Sequence, residues 1–248
     1  MEELTLDEIL DGRLRVFQKK RGYRFSLDAI LLASFISLKA KSKAIDLGTG
    51  SGIIPLILAI HFPHVDWIGL EIQEAMAVSA RRNVEINSLE KQIKIITGDA
   101  REIKKMFSEN SFDSVVFNPP YRRLNSGRIN PDQEKAIARH ELQGSLEHFM
   151  AAAKYLLKPA GRVFTIYPAK RLAELVCLFR VNSIEPKRMR LVFSDSESAA
   201  EFVLLEGRSR SGEELVIEAP LFIYDQDKKY TRQMKNIFSG LAAAGDGG

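Results

Sequence analysis

The sequence predicts an α/β protein: a mostly parallel sheet of seven strands with helices on both faces and an antiparallel hairpin near the C-terminus. Three observations carry that prediction. Apolar runs of strand length alternate with longer runs of helical spacing from about residue 44 to residue 180. The first of these strands, at Ala44, Ile45 and Leu47, passes through glycines at alternate positions (Gly48, Gly50, Gly52) into an apolar helical run, Ile53 to Phe62, closed by Pro63. Later strands end in polar or acidic residues where a parallel sheet presents its carboxyl edge to a ligand: Glu71, Asp99 and Asn118.

A chain of 248 residues suits one α/β domain with a substantial core. We divide it into a basic N-terminal extension (1–24), the α/β domain (25–240) and a Gly/Ala-rich tail (241–248) expected to be disordered. The lone cysteine, Cys177, falls in a helical run and is expected to fill the core; a disulfide framework or cysteine-rich metal site is out of reach. His61, His64, His140 and His148 lack ligand-like spacing, so no metal is expected. The acidic start and the shortness of the apolar runs point away from a signal peptide or membrane span, toward the cytoplasm.

Net charge is +4, unevenly spread. Three segments, Arg13 to Arg24, Arg122 to Arg139 and Lys187 to Arg190, hold fourteen Lys/Arg against two acids, so the remainder is net acidic by eight. A basic face on an acidic body fits a polyanionic partner such as RNA.

In chain order, a short strand is expected at Arg13 to Gln18, and a helix begins after Ser26, a suitable N-cap, with Leu27, Ile30, Leu31 and Phe35 at helical spacing. The glycine-turn strand and its helix follow. Val65 to Glu71 is a second strand, and Glu71, 25 residues beyond Asp46, stands where a βαβ unit presents a carboxylate to ribose hydroxyls. A helix over Gln73 to Asn87 leads to a third strand, Ile93 to Thr97, and then to Asp99, able both to meet an adenine amine and to cap the segment Arg101 to Phe107. The fourth strand, Phe112 to Phe117, ends in Asn118-Pro119-Pro120-Tyr121. The long basic stretch Arg122 to Arg139 reads as a substrate loop in which Arg122, Arg123 and Arg128 contact RNA. Next come a helix over Leu142 to Leu157, a turn at Lys158 to Gly161, a strand over Arg162 to Tyr167 and a helix over Lys170 to Arg180. A hairpin of Arg188 to Phe193 with Glu201 to Leu205 and an extended piece within Leu215 to Tyr224 complete the sheet.

The glycine spacing selects the ligand. A dinucleotide fingerprint would need glycine at position 53, where the chain has Ile53, which disfavours NAD. Asp46 followed by G-x-G-x-G instead resembles the first motif of the class I S-adenosylmethionine-dependent methyltransferases. With Glu71, Asp99 and Asn118 to Tyr121, the chain resembles the amino-group methyltransferases of that class. It is most similar to the valine-tRNA adenine-N6 methyltransferases, which modify the adenine following the anticodon and share a Gly-Tyr-Arg-Phe-Ser-Leu-Asp-Ala opening (Gly22 to Ala29) and an Ala-Arg-His-Glu segment (Ala138 to Glu141). The resemblance implies a Rossmann-like fold and S-adenosyl-L-methionine as cofactor. It implies a cofactor set of Phe25, Asp28, Asp46, Gly48, Thr49, Gly50, Gly52, Glu71, Ile72, Asp99, Ala100 and Asn118.

The chemistry suits the motif. The amine of adenine delocalises its lone pair into the ring, so two acceptors, the Asn118 side-chain oxygen and the Pro119 carbonyl, would draw its hydrogens and favour a tetrahedral nitrogen. Pro119 and Pro120 fix φ and hold the segment extended, and Tyr121 offers a ring face to an extruded base. The same four residues suit methylation of guanine amines in ribosomal RNA or of a protein glutamine, and an RNA-binding module without catalysis is a further reading. The basic loop favours RNA and the intact motif favours catalysis.

Overall fold

The computed structural model describes residues 4–19, 27–119 and 145–243. Its centre is a sheet in the strand order β10-β8-β9-β7-β6-β3-β4-β5, with β11 also paired to β8. The strands are β3 (Lys43–Leu47), β4 (Asp66–Glu71), β5 (Ile93–Thr97), β6 (Phe112–Phe117), β7 (Leu157–Pro168), β8 (Ile184–Phe193), β9 (Ala200–Ser209), β10 (Val216–Ile217) and β11 (Leu221–Phe222). Strands β3 to β7 are mutually parallel; β9 enters antiparallel between β7 and β8 and forms the expected hairpin. Seven strands are long, as expected, and the last two are two-residue additions along β8.

The helices divide between the faces. Helices α1 (Leu27–Phe35), α2 (Ile53–His61), α3 (Glu74–Ile86) and α7 (Arg232–Ala242) pack in one core with Val116, Phe164 and Ile166. The residues next to these on β6 and β7 (Val115, Phe117, Val163, Tyr167) point the other way, into a second core with α4 (Ile103–Met106), α5 (Leu146–Leu156) and α6 (Leu172–Val181). Strand alternation thus feeds two layers from one sheet, which is why the central strands read as unbroken apolar runs.

Several expectations need correction. The N-terminal segment is a hairpin of β1 (Leu4–Ile9) and β2 (Leu14–Lys19), where only the second strand was expected. The turn expected at Lys158 to Gly161 falls inside β7 as an irregularity of its pairing, which jumps with β6 from Leu157 to Arg162, and Ala160 there takes φ 61°. Cys177 is exposed on α6, since the buried stripe of that helix is Leu175 and Phe179. The basic cluster Lys187 to Arg190 is occupied by its own fold. Arg188 pairs with Glu206 at 2.9 Å and Glu218 at 3.0 Å, Lys187 donates to the Glu213 carbonyl at 2.8 Å and Arg190 to that of Ala219 at 3.0 Å. Helix α7 runs to Ala242, with Leu241 and Ala242 buried.

Candidate functional site

The register of the central strands gathers the sequence-predicted residues at one edge. Leu47 of β3 pairs with Leu70 of β4 and with Phe117 of β6, and Glu71 pairs with Thr97 of β5. Gly48, Glu71, Thr97 and Asn118 therefore stand at one level, at the carboxyl ends of four parallel strands. This is also where the strand order reverses, because β3 is flanked by β4 on one side and by β6 on the other.

The glycine turn needs its glycines. Gly48, Gly50 and Gly52 have φ of 72°, 59° and 81°, in the left-handed region open to glycine. A side chain at Gly48 would meet the Phe149 ring at 3.4 Å, and one at Gly52 would meet Ala80 at 3.4 Å. The turn is tied down by the Gly48 and Thr49 amides, which donate to the Leu70 carbonyl at 2.8 and 3.0 Å. Glu71, 4% exposed, accepts from the Gly50 amide and from the Gln73 amide, each at 2.9 Å. Its carboxylate shapes the turn and the start of α3 together.

Asp46 is the electrostatic anomaly of the edge. It is 1% exposed, and neither of its oxygens nor Thr49 Oγ1 has a hydrogen-bonding partner among the described residues. Burial pushes its carboxyl up to about 7; the nearby Thr49 hydroxyl offsets part of that rise, and the charge of Glu71 adds to it. A buried carboxylate without a partner is costly, and a cationic or donor group beside it relieves the cost. Open backbone at positive φ, a buried acid after β4 and orphaned acceptors beneath the turn fit a ligand carrying both ribose hydroxyls and a positive charge.

Asp99 caps the turn Ala100–Glu102, accepting from the Arg101 amide at 2.8 Å, and also receives the Arg101 guanidinium, whose Nε lies 2.8 Å from Oδ2. Burial works to raise the Asp99 pKa, but the bonds from Arg101 and the nearby His148 together hold it below the usual carboxylate value. Ile72 and Ala100 are half-buried beside these acids, and Asp28 lies in the first turn of α1. Asn118 is half-buried and Pro119 buried at the end of β6. Phe25, Pro120, Tyr121, Arg122, Arg123 and Arg128 lie outside the described residues.

Sequence reasoning missed two supports. Phe149 of α5 lies against both Gly48 and the Phe117 ring, 5.7 Å between centroids, and so backs the turn from the second core. Gly69, paired with Asp46, leaves room for Thr49: a Cβ there would lie 2.9 Å from Thr49 Cγ2 and 2.7 Å from Ile95 Cδ1. Gly69 inside an apolar strand was the available signal, since glycine in a strand often marks a close approach. Among the described residues no group of three or more His, Cys, Asp or Glu could hold a metal ion, and no helix is long and apolar enough to cross a membrane.

Comparison with known proteins finds a matching family and several similar chains. The methyltransferase small domain family matches residues 23–176. A tRNA1(Val) (adenine(37)-N6)-methyltransferase of Porphyromonas gingivalis is 34% identical over 158 residues, 61% of this chain and 61% of that protein. The chain thus spans about three fifths of that relative's length. One of the same name from Histophilus somni is 26% identical over 237 residues, covering 91% of this chain and 92% of the relative. Among solved structures, one from Agrobacterium tumefaciens described as a predicted O-methyltransferase superposes with a TM-score of 0.70 at 20% identity, covering 88% of this chain and 97% of its own.

Proposed function

The chain belongs to the methyltransferase small domain family, and from that premise we propose that it moves a methyl group from S-adenosyl-L-methionine to the exocyclic amine of an adenine in RNA, specifically tRNA. The observation that carries this reading is that Asn118 and Gly48, each following one of the paired residues Phe117 and Leu47, stand level at the carboxyl edge of adjacent strands. The names of the Porphyromonas and Histophilus relatives support adenine in tRNA as the acceptor. A tRNA substrate would set this work in the cytoplasm.

When bound, S-adenosylmethionine supplies an electrophilic methyl group. The chain's own part is binding and alignment. The backbone of Gly48 to Gly52 with Thr49 would take the ligand closely, Glu71 would accept from its ribose, and the orphaned Asp46 would face its positive charge. Ile72 and Ala100 would wall the base, Asp99 would neighbour its amine, and Asp28, in the first turn of α1, would cover the site together with Phe25. Asn118 and the Pro119 carbonyl each accept one hydrogen from the target amine, so its lone pair is turned toward the methyl carbon. Neither acceptor changes protonation, and the gain is preorganised dipoles and orientation. Pro120 would hold the strand exit extended and Tyr121 would stack on the extruded base, while Arg122, Arg123 and Arg128 would meet backbone phosphates.

A methyl-transfer assay with radiolabelled cofactor on total tRNA, ribosomal RNA and a peptide-chain release factor tests the proposal. Label confined to tRNA, recovered as N6-methyladenosine, is the expected result. Label only in ribosomal RNA or in the protein would overturn the tRNA reading, and no transfer to any of the three would overturn the enzymatic one.

A further inference from the structure

One face of α3 serves two structures that are far apart in sequence. Met76 Cε would lie 3.9 Å from a Cβ on Gly50, Ala80 Cβ 3.4 Å from one on Gly52, and Asn83 Nδ2 donates to the Ser51 carbonyl at 3.0 Å. Positions 76, 80, 83 and 87 form a single stripe along the helix. Its first half underlies the glycine turn, and its second half holds the N-terminal hairpin.

The hold on the hairpin imitates a strand. Asn83 Oδ1 accepts from the Phe17 amide at 2.7 Å and its Nδ2 donates to the Phe17 carbonyl at 3.3 Å. Asn87 repeats the pattern two residues earlier, accepting from the Arg15 amide at 3.0 Å and donating to the Arg15 carbonyl at 2.7 Å. Two side-chain amides thus satisfy backbone groups of β2 that face away from β1 and would otherwise form an open edge. Asn83 differs from Asn87 in one respect. It is fully buried (0% exposed), and its amide is shared between β2 and Ser51.

We propose that Asn83 is a positioning residue for the cofactor turn and that through it cofactor binding orders the β1–β2 hairpin; this rests on reading the turn as the S-adenosylmethionine site. The Ser51 carbonyl precedes Gly52, whose φ of 81° must be kept for the turn to present its backbone. Holding that peptide in place before binding removes an ordering cost that the ligand would otherwise bear. The coupling is reciprocal: whatever factor the docked hairpin adds to ligand affinity, the ligand adds to hairpin docking.

Asn87 provides the control, because it grips the hairpin without touching the turn. The full chain, Asn83→Ala and Asn87→Ala are titrated calorimetrically with S-adenosylhomocysteine, and amide hydrogen exchange over residues 14–19 is followed with and without it. Asn83→Ala should bind about tenfold more weakly, the scale of one buried hydrogen bond, while Asn87→Ala binds within about twofold of the parent although its hairpin exchanges faster. Ligand should slow hairpin exchange in the parent and leave it unchanged in Asn83→Ala. Parental affinity in Asn83→Ala, or an equal loss in Asn87→Ala, overturns the inference. Should Asn83→Ala not fold, the parent decides: normal binding with no change in hairpin exchange sinks the inference and leaves the cofactor reading intact. A parent that binds no S-adenosylhomocysteine overturns both.

Discussion

Glu71 and Gly50 are bonded to each other across the mouth of the turn: Oε2 accepts the Gly50 amide at 2.9 Å while Oε1 holds the Gln73 amide. The acid at the end of β4 therefore shapes the turn itself, in addition to the ribose contact proposed for it. Each carboxylate oxygen keeps a second lone pair, enough for two ribose hydroxyls.

Glu71→Ala should accordingly show two losses. Two amides lose their acceptor, costing about 1–3 kcal/mol of stability, and cofactor binding weakens by roughly 2–3 kcal/mol as two charge-assisted bonds disappear. Glu71→Gln, which keeps one acceptor oxygen, should fall between parent and alanine in both. Thermal unfolding and calorimetric titration give the two numbers; an unchanged affinity in the alanine variant removes Glu71 from the ligand site.

Asp46 makes stability depend on pH in an unusual direction for a carboxyl group. Burial raises it from 3.8 to about 7 in the folded chain. Between those values the native state keeps a proton that the unfolded chain has released, so stability falls as pH rises through that window, and the full penalty stands above about pH 7. Its size is roughly 4 kcal/mol. Without ligand, Asp46→Asn should be the more stable chain at pH 8 and should lose most of the decline between pH 5 and pH 8, while binding cofactor more weakly. Denaturant unfolding at both pH values checks this, and matching declines in parent and variant would refute it.

The carboxyl edge that gathers Gly48, Glu71 and Asn118 was legible in the sequence because its signals are local. Glycines at alternate positions and acids just past apolar runs depend on neighbours a few residues away. What escaped depends on long-range partners. Lys187 to Arg190 looked like a free basic patch because Glu206 and Glu218, which engage Arg188, come from other parts of the chain. Strand β1, Leu-Thr-Leu-Asp-Glu-Ile, mixes apolar with polar and acidic residues and lacks the apolar run that marked the buried strands. Its turn, however, does carry Asp11-Gly12, a hairpin signal, with φ of 55° and 79°. Helix α7 was also readable. Thr231 caps it by accepting from the Met234 amide at 3.2 Å, and Met234, Ile237, Phe238 and Leu241 keep helical spacing.

The basic segment Arg122 to Arg139 should bind phosphates without reading bases. Arg122, Arg123 and Arg128 changed together to Glu should weaken tRNA binding and flatten its salt dependence by about one slope unit for each phosphate no longer neutralised. Arg188→Glu, by contrast, should act on stability, since its guanidinium is committed to Glu206, Glu218 and the Phe35 carbonyl. Filter binding across a salt series separates the two; an unaltered slope in the triple variant takes the loop off the RNA.

Asn118 is the sharpest test of mechanism, because its proposed work falls on the target amine far more than on the cofactor. It follows Phe117, which is buried and pinned between β3 and β7, so replacing the side chain at position 118 leaves the strand that carries it in place. Asn118→Ala should keep folding and cofactor affinity near those of the parent and lower the single-turnover methyl-transfer rate by about 10²–10³, the scale of losing one preorganised acceptor. Tyr121→Ala should also raise KM, since stacking on the extruded base acts in the ground state as well. Asn118→Asp separates acceptance from donation: a carboxylate keeps an oxygen where the amine hydrogen points but cannot donate. Retention of much of the rate in Asp with its loss in Ala assigns Asn118 the role of acceptor. Equal loss in both means that the amide's own N–H or its neutrality is what the reaction needs, and parental rates in both remove the motif from catalysis.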